Sequence, residues 1–222
     1  MKKLFLYAAI LSLPLLLVCC EQDTYEKGEG ELSMLRADFV EAHTDAAKNV
    51  DYVVTDEGER LTVSGQLSAR WLTTADSVYR AYLYYNKVGT TAQDAVIGQV
   101  ATLAIRRPDF FKNKIVTDPV RFESAWLSTS RRYLNASIYL MIGNTDDEKA
   151  IHSIGLLGDT LMANADSTRT WHLRLWHSQG TMPEYFSQRA YLSIPLNDVD
   201  ADSIRLSINT YNGIVEKRFR IR

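Results

Sequence analysis

Cysteine is nearly absent from this chain: 222 residues contain two, and they are adjacent, Cys19 and Cys20. No disulfide framework or thiolate metal site can be built further along, so any fold must be held by its apolar core. An excess of positive charge is missing as well. Lys and Arg number 25 against 27 Asp and Glu, and loss of Lys2 and Lys3 with a cleaved leader would leave 23 against 27. That balance offers no electrostatic reason to bind nucleic acid or an anionic membrane surface. Long apolar runs are lacking too. The run from Leu4 to Val18 has about 15 residues, short of the roughly 20 that a membrane-spanning helix needs. Pro14 also removes a backbone donor from it.

What the N-terminus does have is the layout of an export leader: Lys2 and Lys3, an apolar stretch, then an abrupt change to Glu21, Gln22 and Asp23. The segment Leu17-Val18-Cys19-Cys20 resembles a bacterial lipobox, with Cys19 in the small position and Cys20 carrying the lipid. The alternative register, Leu16-Leu17-Val18-Cys19, would lipidate Cys19 but puts Val18 in the small slot. Residues 1–20 therefore read as a lipoprotein signal peptide, and a membrane partner is expected through the N-terminal lipid. Residues 21–31, with Lys27-Gly28-Glu29-Gly30, read as a flexible tether. Acidic Glu21, Asp23 and Glu26 resemble signals that send some lipoproteins to the outer face of the outer membrane. The expected location is thus the outer membrane, lipid-anchored, facing the periplasm or the surface.

Beyond the tether the dominant pattern is period-two alternation, the mark of half-buried strands. Tyr52-Val53-Val54 and Leu61-Thr62-Val63 flank Asp56-Glu57-Gly58-Glu59, a hairpin turn signal. Tyr82 and Tyr84 share one parity, while Tyr79, Ala81, Leu83 and Tyr85 share the other, so this strand should be covered on both faces. A run through Val96, Ile97, Val100, Leu103 and Ile105 closes at Arg106-Arg107-Pro108. Asp118-Pro119 is a further turn signal. Val120, Phe122 and Trp126 then share a parity, and Leu134 to Ile142 alternates cleanly against Tyr133, Asn135, Ser137 and Tyr139. A strand from Ile151 is expected to stop at Gly158-Asp159, with later strands around Trp171–His177, Ala190–Leu196, Ile204–Ile208 and Val215–Ile221. No 12-residue stretch keeps helical period. The pattern predicts an all-β protein: an N-terminal small barrel over about 32–110, then an antiparallel β-sandwich over about 115–222.

Several segments together resemble the NigD-like lipoproteins of Gram-negative gut and oral anaerobes. They are the lipobox-like start, Asp56-Glu57-Gly58, Asp118-Pro119-Val120 leading to Ala125-Trp126, Trp171-His172-Leu173-Arg174-Leu175-Trp176-His177, and Tyr191-Leu192-Ser193-Ile194-Pro195-Leu196. The resemblance implies an N-terminal OB-like domain and a C-terminal β-sandwich. It also implies a link to bacteriocin immunity, from which the family takes its name, and it carries no assigned catalytic residue.

The residues themselves offer little chemistry. His172 and His177 are five apart and would point to opposite faces of a strand; His43 and His152 stand alone, so no metal site is expected. Val63-Ser64-Gly65 lacks a nucleophile elbow, no phosphate-binding glycine loop is present, and no acidic residue sits on an apolar strand face. Neither a cofactor nor a catalytic residue is expected. The aromatic side chains are the candidates: Tyr79, Tyr82, Tyr84 and Tyr85 on one strand, and Trp171 and Trp176 on another, could stack on a ligand. Asp76-Ser77-Val78, Asp159-Thr160-Leu161, Asp166-Ser167-Thr168 and Asp202-Ser203-Ile204 resemble an O-glycosylation sequon of exported bacterial proteins, marking Ser77, Thr160, Ser167 and Ser203. The expected function is a non-catalytic envelope lipoprotein that binds an envelope protein or a glycan. The alternatives are bacteriocin protection and a glycan hydrolase with two facing carboxylates.

Overall fold

The computed structural model describes residues 35–112 and 114–222, and 35–222 make one compact unit. The leader, both cysteines and the tether lie outside the described residues. Strands β1 (Leu35–Thr44), β2 (Val50–Thr55), β3 (Arg60–Val63), β4 (Val78–Val88) and β5 (Thr91–Gln99) close a barrel in the order β1-β2-β3-β5-β4. β4 returns to pair with β1 from Leu35 to His43, and β3 meets β5 in parallel. This is the five-stranded closure of an OB-type barrel. Asp56-Glu57-Gly58-Glu59 does form the β2–β3 turn. Gly58 takes a φ of +86°, open to glycine and strained for other residues, and its N–H donates to Thr55 O. Inside the barrel lie Val40, Ala42, Val53, Leu61, Ala81, Leu83 and Tyr85, all unexposed.

The chain then stitches itself into the sandwich. Two short strands, β6 (Ala101–Thr102) and β7 (Ile105–Arg106), join its two sheets in parallel, and Leu103 between them is buried in the sandwich core. The single apolar run expected over 96–105 is therefore three strands. Gln99 ends the barrel and residues 101–106 serve the next layer. A 3-10 turn at Pro108–Phe111 follows. Next come β8 (Arg121–Leu127), β9 (Tyr133–Ile142), β10 (Ser153–Ala163), β11 (Arg169–Ser178), β12 (Phe186–Pro195), β13 (Ser203–Thr210) and β14 (Gly213–Arg220). One sheet runs β14-β13-β11-β10-β7 and the other β6-β12-β9-β8. Long neighbours are antiparallel except β11 and β13, which pair in parallel because the chain crosses to the other sheet through β12 between them. Leu134, Ile138, Leu156, Leu173, Ile194, Ile204 and Ile208 fill the space between the sheets.

Two expectations fail at bulges. β10 does not stop at Gly158-Asp159. A register shift between Gly158 and Thr160 absorbs an extra residue and the strand continues to Ala163. Gly158 is there for packing: a Cβ on it would lie 2.9 Å from Ile105 and 3.2 Å from Trp171. In β8, a shift between Phe122 and Ser124 reverses the alternation. Phe122 packs against the sandwich core, whereas Trp126 turns outward and meets Phe39 of the barrel edge-on, with ring centres 5.3 Å apart.

Candidate binding cleft

The outer face of β1 and β4 packs on the outer face of the β6-β12-β9-β8 sheet. At one end this seam is closed by buried polar groups. Arg80 donates through Nη2 to Asp56 at 2.7 Å and to Asn135 Oδ1 at 3.2 Å, and through Nε to Ser193 Oγ at 3.1 Å. Asn135 Nδ2 donates to Asp56 at 3.0 Å, and Ser193 Oγ donates to Asn135 Oδ1 at 2.6 Å. The Arg80 guanidinium also lies 4.0 Å from the centre of the Tyr133 ring, a cation–π distance. Asn135 and Ser193 are unexposed, although alternation put Asn135 opposite the apolar face of its strand. Tyr133 in turn donates to Glu41 at 2.6 Å, with Arg132 paired to the same carboxylate. Burial pushes the Tyr133 hydroxyl up to about 12, with the Glu41 carboxylate adding to that effect.

At the other end the seam opens into a cleft of about 650 Å³ between β4–β5 and β12. Its walls carry Tyr82, Tyr84 and Tyr191 as aromatic faces, Gln99, Gln188 and Arg189 as polar heads, and His152. Tyr82 sits opposite Gly98 on β5, and the missing Cβ makes room: one built at Gly98 would lie 2.5 Å from the Tyr82 ring. Tyr82 meets Tyr84 at 4.7 Å and Tyr191 at 5.1 Å between ring centres, and Phe39 meets Tyr191 at 5.2 Å. Arg189 donates to the Tyr139 and Tyr191 hydroxyls and to Glu123. Those hydroxyls, ahead of the carboxylate, hold its guanidinium above the ordinary arginine value. Among the described residues, no carboxylate lines the cleft.

The expected stacking aromatics are thus divided by the pleat. Tyr82 and Tyr84 reach the cleft. Tyr85 is unexposed inside the barrel, its hydroxyl donating to Asp38 at 2.6 Å. Tyr79 lies at the barrel end against Trp71, its hydroxyl accepting from Thr74 N–H at 2.7 Å. Trp171 packs on the sandwich core, and Trp176 lies on the other face of β11, stacked on Phe111 and donating to Lys114 O at 3.1 Å. The two tryptophans therefore do not frame one patch. Thr160 and Ser167 are exposed, while Ser77 and Ser203 are half-buried and Ser77 Oγ donates to Ala75 O. Tyr191, Arg189 and Gln188 were missed as site residues. Only the register of β12 against β9 and the open seam reveal them.

The histidines also need correcting. His177 and His172 do face opposite ways, but His152 is not isolated. Its Nδ1 lies 3.0 Å from His177 Nε2, across a stacked pair of rings. His43 stacks on Tyr52 at 4.1 Å. Among the described residues, no three His, Cys, Asp or Glu side chains are grouped to hold a metal ion. A second groove, of about 510 Å³, crosses the outer face of the five-stranded sheet. Its charges are largely spent on each other, Arg174 with Asp159 and Arg205 with Glu216.

Neither a protein-family model nor a curated protein matches the sequence. Solved structures do share the fold. A NigD-like immunity protein of Bacteroides caccae is 24% identical, with a TM-score of 0.65, over 82% of this chain and 91% of that one. A protein of Parabacteroides distasonis described as toxin-related is 14% identical, with a TM-score of 0.59, over 84% and 92%. A Bacteroides fragilis protein described as a lipoprotein is 12% identical, with a TM-score of 0.56, over 85% and 98%. The resemblance read from the sequence therefore holds for the fold of the whole described chain.

Proposed function

We propose that the chain is a NigD-like, lipid-anchored envelope protein that works by binding, and that a saccharide occupies the cleft between barrel and sandwich. The observation that carries this reading is the composition of the cleft. Aromatic faces from Tyr82, Tyr84 and Tyr191 stand beside the amides of Gln99 and Gln188, and among the described residues no hydrogen bond engages those two side chains. Sugars present apolar C–H faces and a rim of hydroxyls, and they suit such a mixture. The absence of a carboxylate from the walls speaks against glycoside hydrolysis, which needs two facing acids. The lipobox-like Leu17-Val18-Cys19-Cys20 supports the anchor on Cys20, and the acidic Glu21, Asp23 and Glu26 after it support an outer-membrane address.

The test is a glycan array probed with the protein from residue 21 onward, which keeps both cores intact. Retention of at least one glycan is expected, weakened about fivefold or more by Tyr82→Ala. Equal retention by that variant, or no retention at all, sinks the reading. A second reading, protection against a bacteriocin, is favoured by the fold shared with the immunity protein. Unchanged toxin sensitivity after deletion of the gene would remove it.

A further inference from the structure

His152 and His177 sit where the cleft wall meets the sandwich, and His177 is 1% exposed. Their contacts can be counted in protons. His177 Nδ1 lies 2.9 Å from Asp118 O, and His152 Nε2 lies 3.0 Å from Met141 O. Carbonyl oxygens only accept, so each of these outer nitrogens must carry a hydrogen for its contact to be a bond. The two inner nitrogens, 3.0 Å apart, need one hydrogen between them. All three contacts together require three ring hydrogens. Two neutral imidazoles bring two, and a fully protonated pair would set two N–H groups against each other.

A neutral pair must therefore leave one contact unmade. Asp118 O has no other donor among the described residues. Met141 O already accepts from Gln179 Nε2 at 2.8 Å. The contact from His152 to Met141 is the one that lapses at least cost, because its carbonyl stays satisfied. We propose that His152 and His177 form a single-proton latch on the cleft wall. The proton enters at His152 Nε2 and converts it from a bare nitrogen facing the Met141 carbonyl into a donor tied to it. Only the effect on a cleft ligand rests on the function proposed above; the latch itself does not.

The surroundings set when the proton arrives. Burial and the facing His177 ring hold His152 below the ordinary imidazole value, against the Met141 carbonyl and Glu184, which act the other way. Asp118 also faces the pair, but its carboxylate accepts from Gln179 N–H at 2.8 Å. Tyr211 lies near Glu184 and Asp118, and burial raises its hydroxyl, so it stays neutral in acid. Arg189 also lines the cleft, but its guanidinium is tied to Glu123 and to the Tyr139 and Tyr191 hydroxyls. The latch thus stays open at neutral pH and shuts in mild acid.

The experiment is a titration of the histidine ring nitrogens by NMR, on ¹⁵N-labelled protein from residue 21 onward, between about pH 8 and about pH 4.5. At the alkaline end both rings should carry hydrogen on Nδ1, leaving His152 Nε2 bare. One proton should then join the pair, at His152 Nε2, below the ordinary imidazole midpoint. Gln179→Ala frees Met141 O, so in that variant the midpoint should rise by about half a pH unit. A His152 already carrying hydrogen on Nε2 at the alkaline end, or two protons taken up by the pair, would overturn the latch. Should the variant not fold, the titration of the unaltered protein still decides. Failure of every glycan on the array leaves this result untouched, and two independently titrating rings leave the cleft reading standing.

Discussion

Arg80 and Tyr82 are neighbours on the same face of β4, yet they meet the sandwich in opposite ways. At Arg80 the seam is shut: its side chain is 3% exposed and tied to Asp56, Asn135 and Ser193. At Tyr82 and Tyr84, the latter 39% exposed, the seam has parted into a cleft. The contrast teaches that one seam can be locked at one end and open at the other. A directional polar cluster holds barrel against sandwich beside the aromatic walls. For the saccharide proposed above, walls held in place before binding would save the ordering cost that a mobile site incurs.

The comparison breaks most sharply at the closed end. Arg80→Met removes one partner of a buried pair and strands Asp56 and Asn135. The expected loss is about 3–5 kcal/mol, which for a chain of this size lowers Tm by about 2–4 °C per kcal/mol. Urea unfolding followed by tryptophan fluorescence measures it, since Trp126 lies in the seam. Arg80→Met with Asp56→Leu should recover part of that loss, because no charge is then stranded. A loss under about 1 kcal/mol for the single variant would mean that the Phe39, Trp126 and Tyr191 contacts hold the seam by themselves.

Alternation in the sequence showed that β4 and β9 each have two covered faces or one, but not what covers the second. Barrel and sandwich were legible because Ala81, Leu83 and Tyr85, or Leu134, Ala136 and Ile138, each fall on one parity with hydrophobic strength enough to define a core. Asn135 falls opposite the apolar face of β9, where alternation gives no reason to expect burial; the barrel buries it, and Ser193 with it. Asp56 read as a turn residue, which it is, while its carboxylate serves Arg80 24 positions away. Trp126 was misplaced because a bulge inserts one residue without any signal in composition. The His152–His177 pair was invisible because the contact spans 25 positions and depends on where the loop before β10 lands.

At the open end the sharper probe is Gly98→Val. Its side chain must occupy space the Tyr82 ring now fills, so the ring must swing off β5. A stability cost of about 1–3 kcal/mol is expected from the overpacking. Glycan retention should fall at least as far as in Tyr82→Ala, read on the same array. If Gly98→Val keeps full retention, the position of the Tyr82 ring over β5 does not matter to the ligand, and the cleft is a gap and not a site.

The smallest effect belongs to the rim of the seam, where Tyr133 donates to Glu41. Burial works to raise the Glu41 carboxyl, but the Tyr133 hydroxyl and Arg132 outweigh it, and the net position is below the usual carboxylate value. Its contribution is therefore present above that usual value and is lost as pH falls through the lowered one. The Tyr133 hydroxyl behaves in the opposite sense. Raised to about 12, it contributes fully below the ordinary tyrosine value of 10.0 and loses that contribution as pH climbs between the two. Tyr133→Phe should cost about 1 kcal/mol near neutrality and should remove part of the fall in Tm between about pH 10 and about pH 12. Tyr85 is raised as well, by burial and Asp38, so the remaining alkaline loss reports on the barrel interior. The difference between the two proteins isolates the seam. Identical alkaline profiles would place all of that loss inside the barrel and leave the rim of the seam with no share in holding the two layers together.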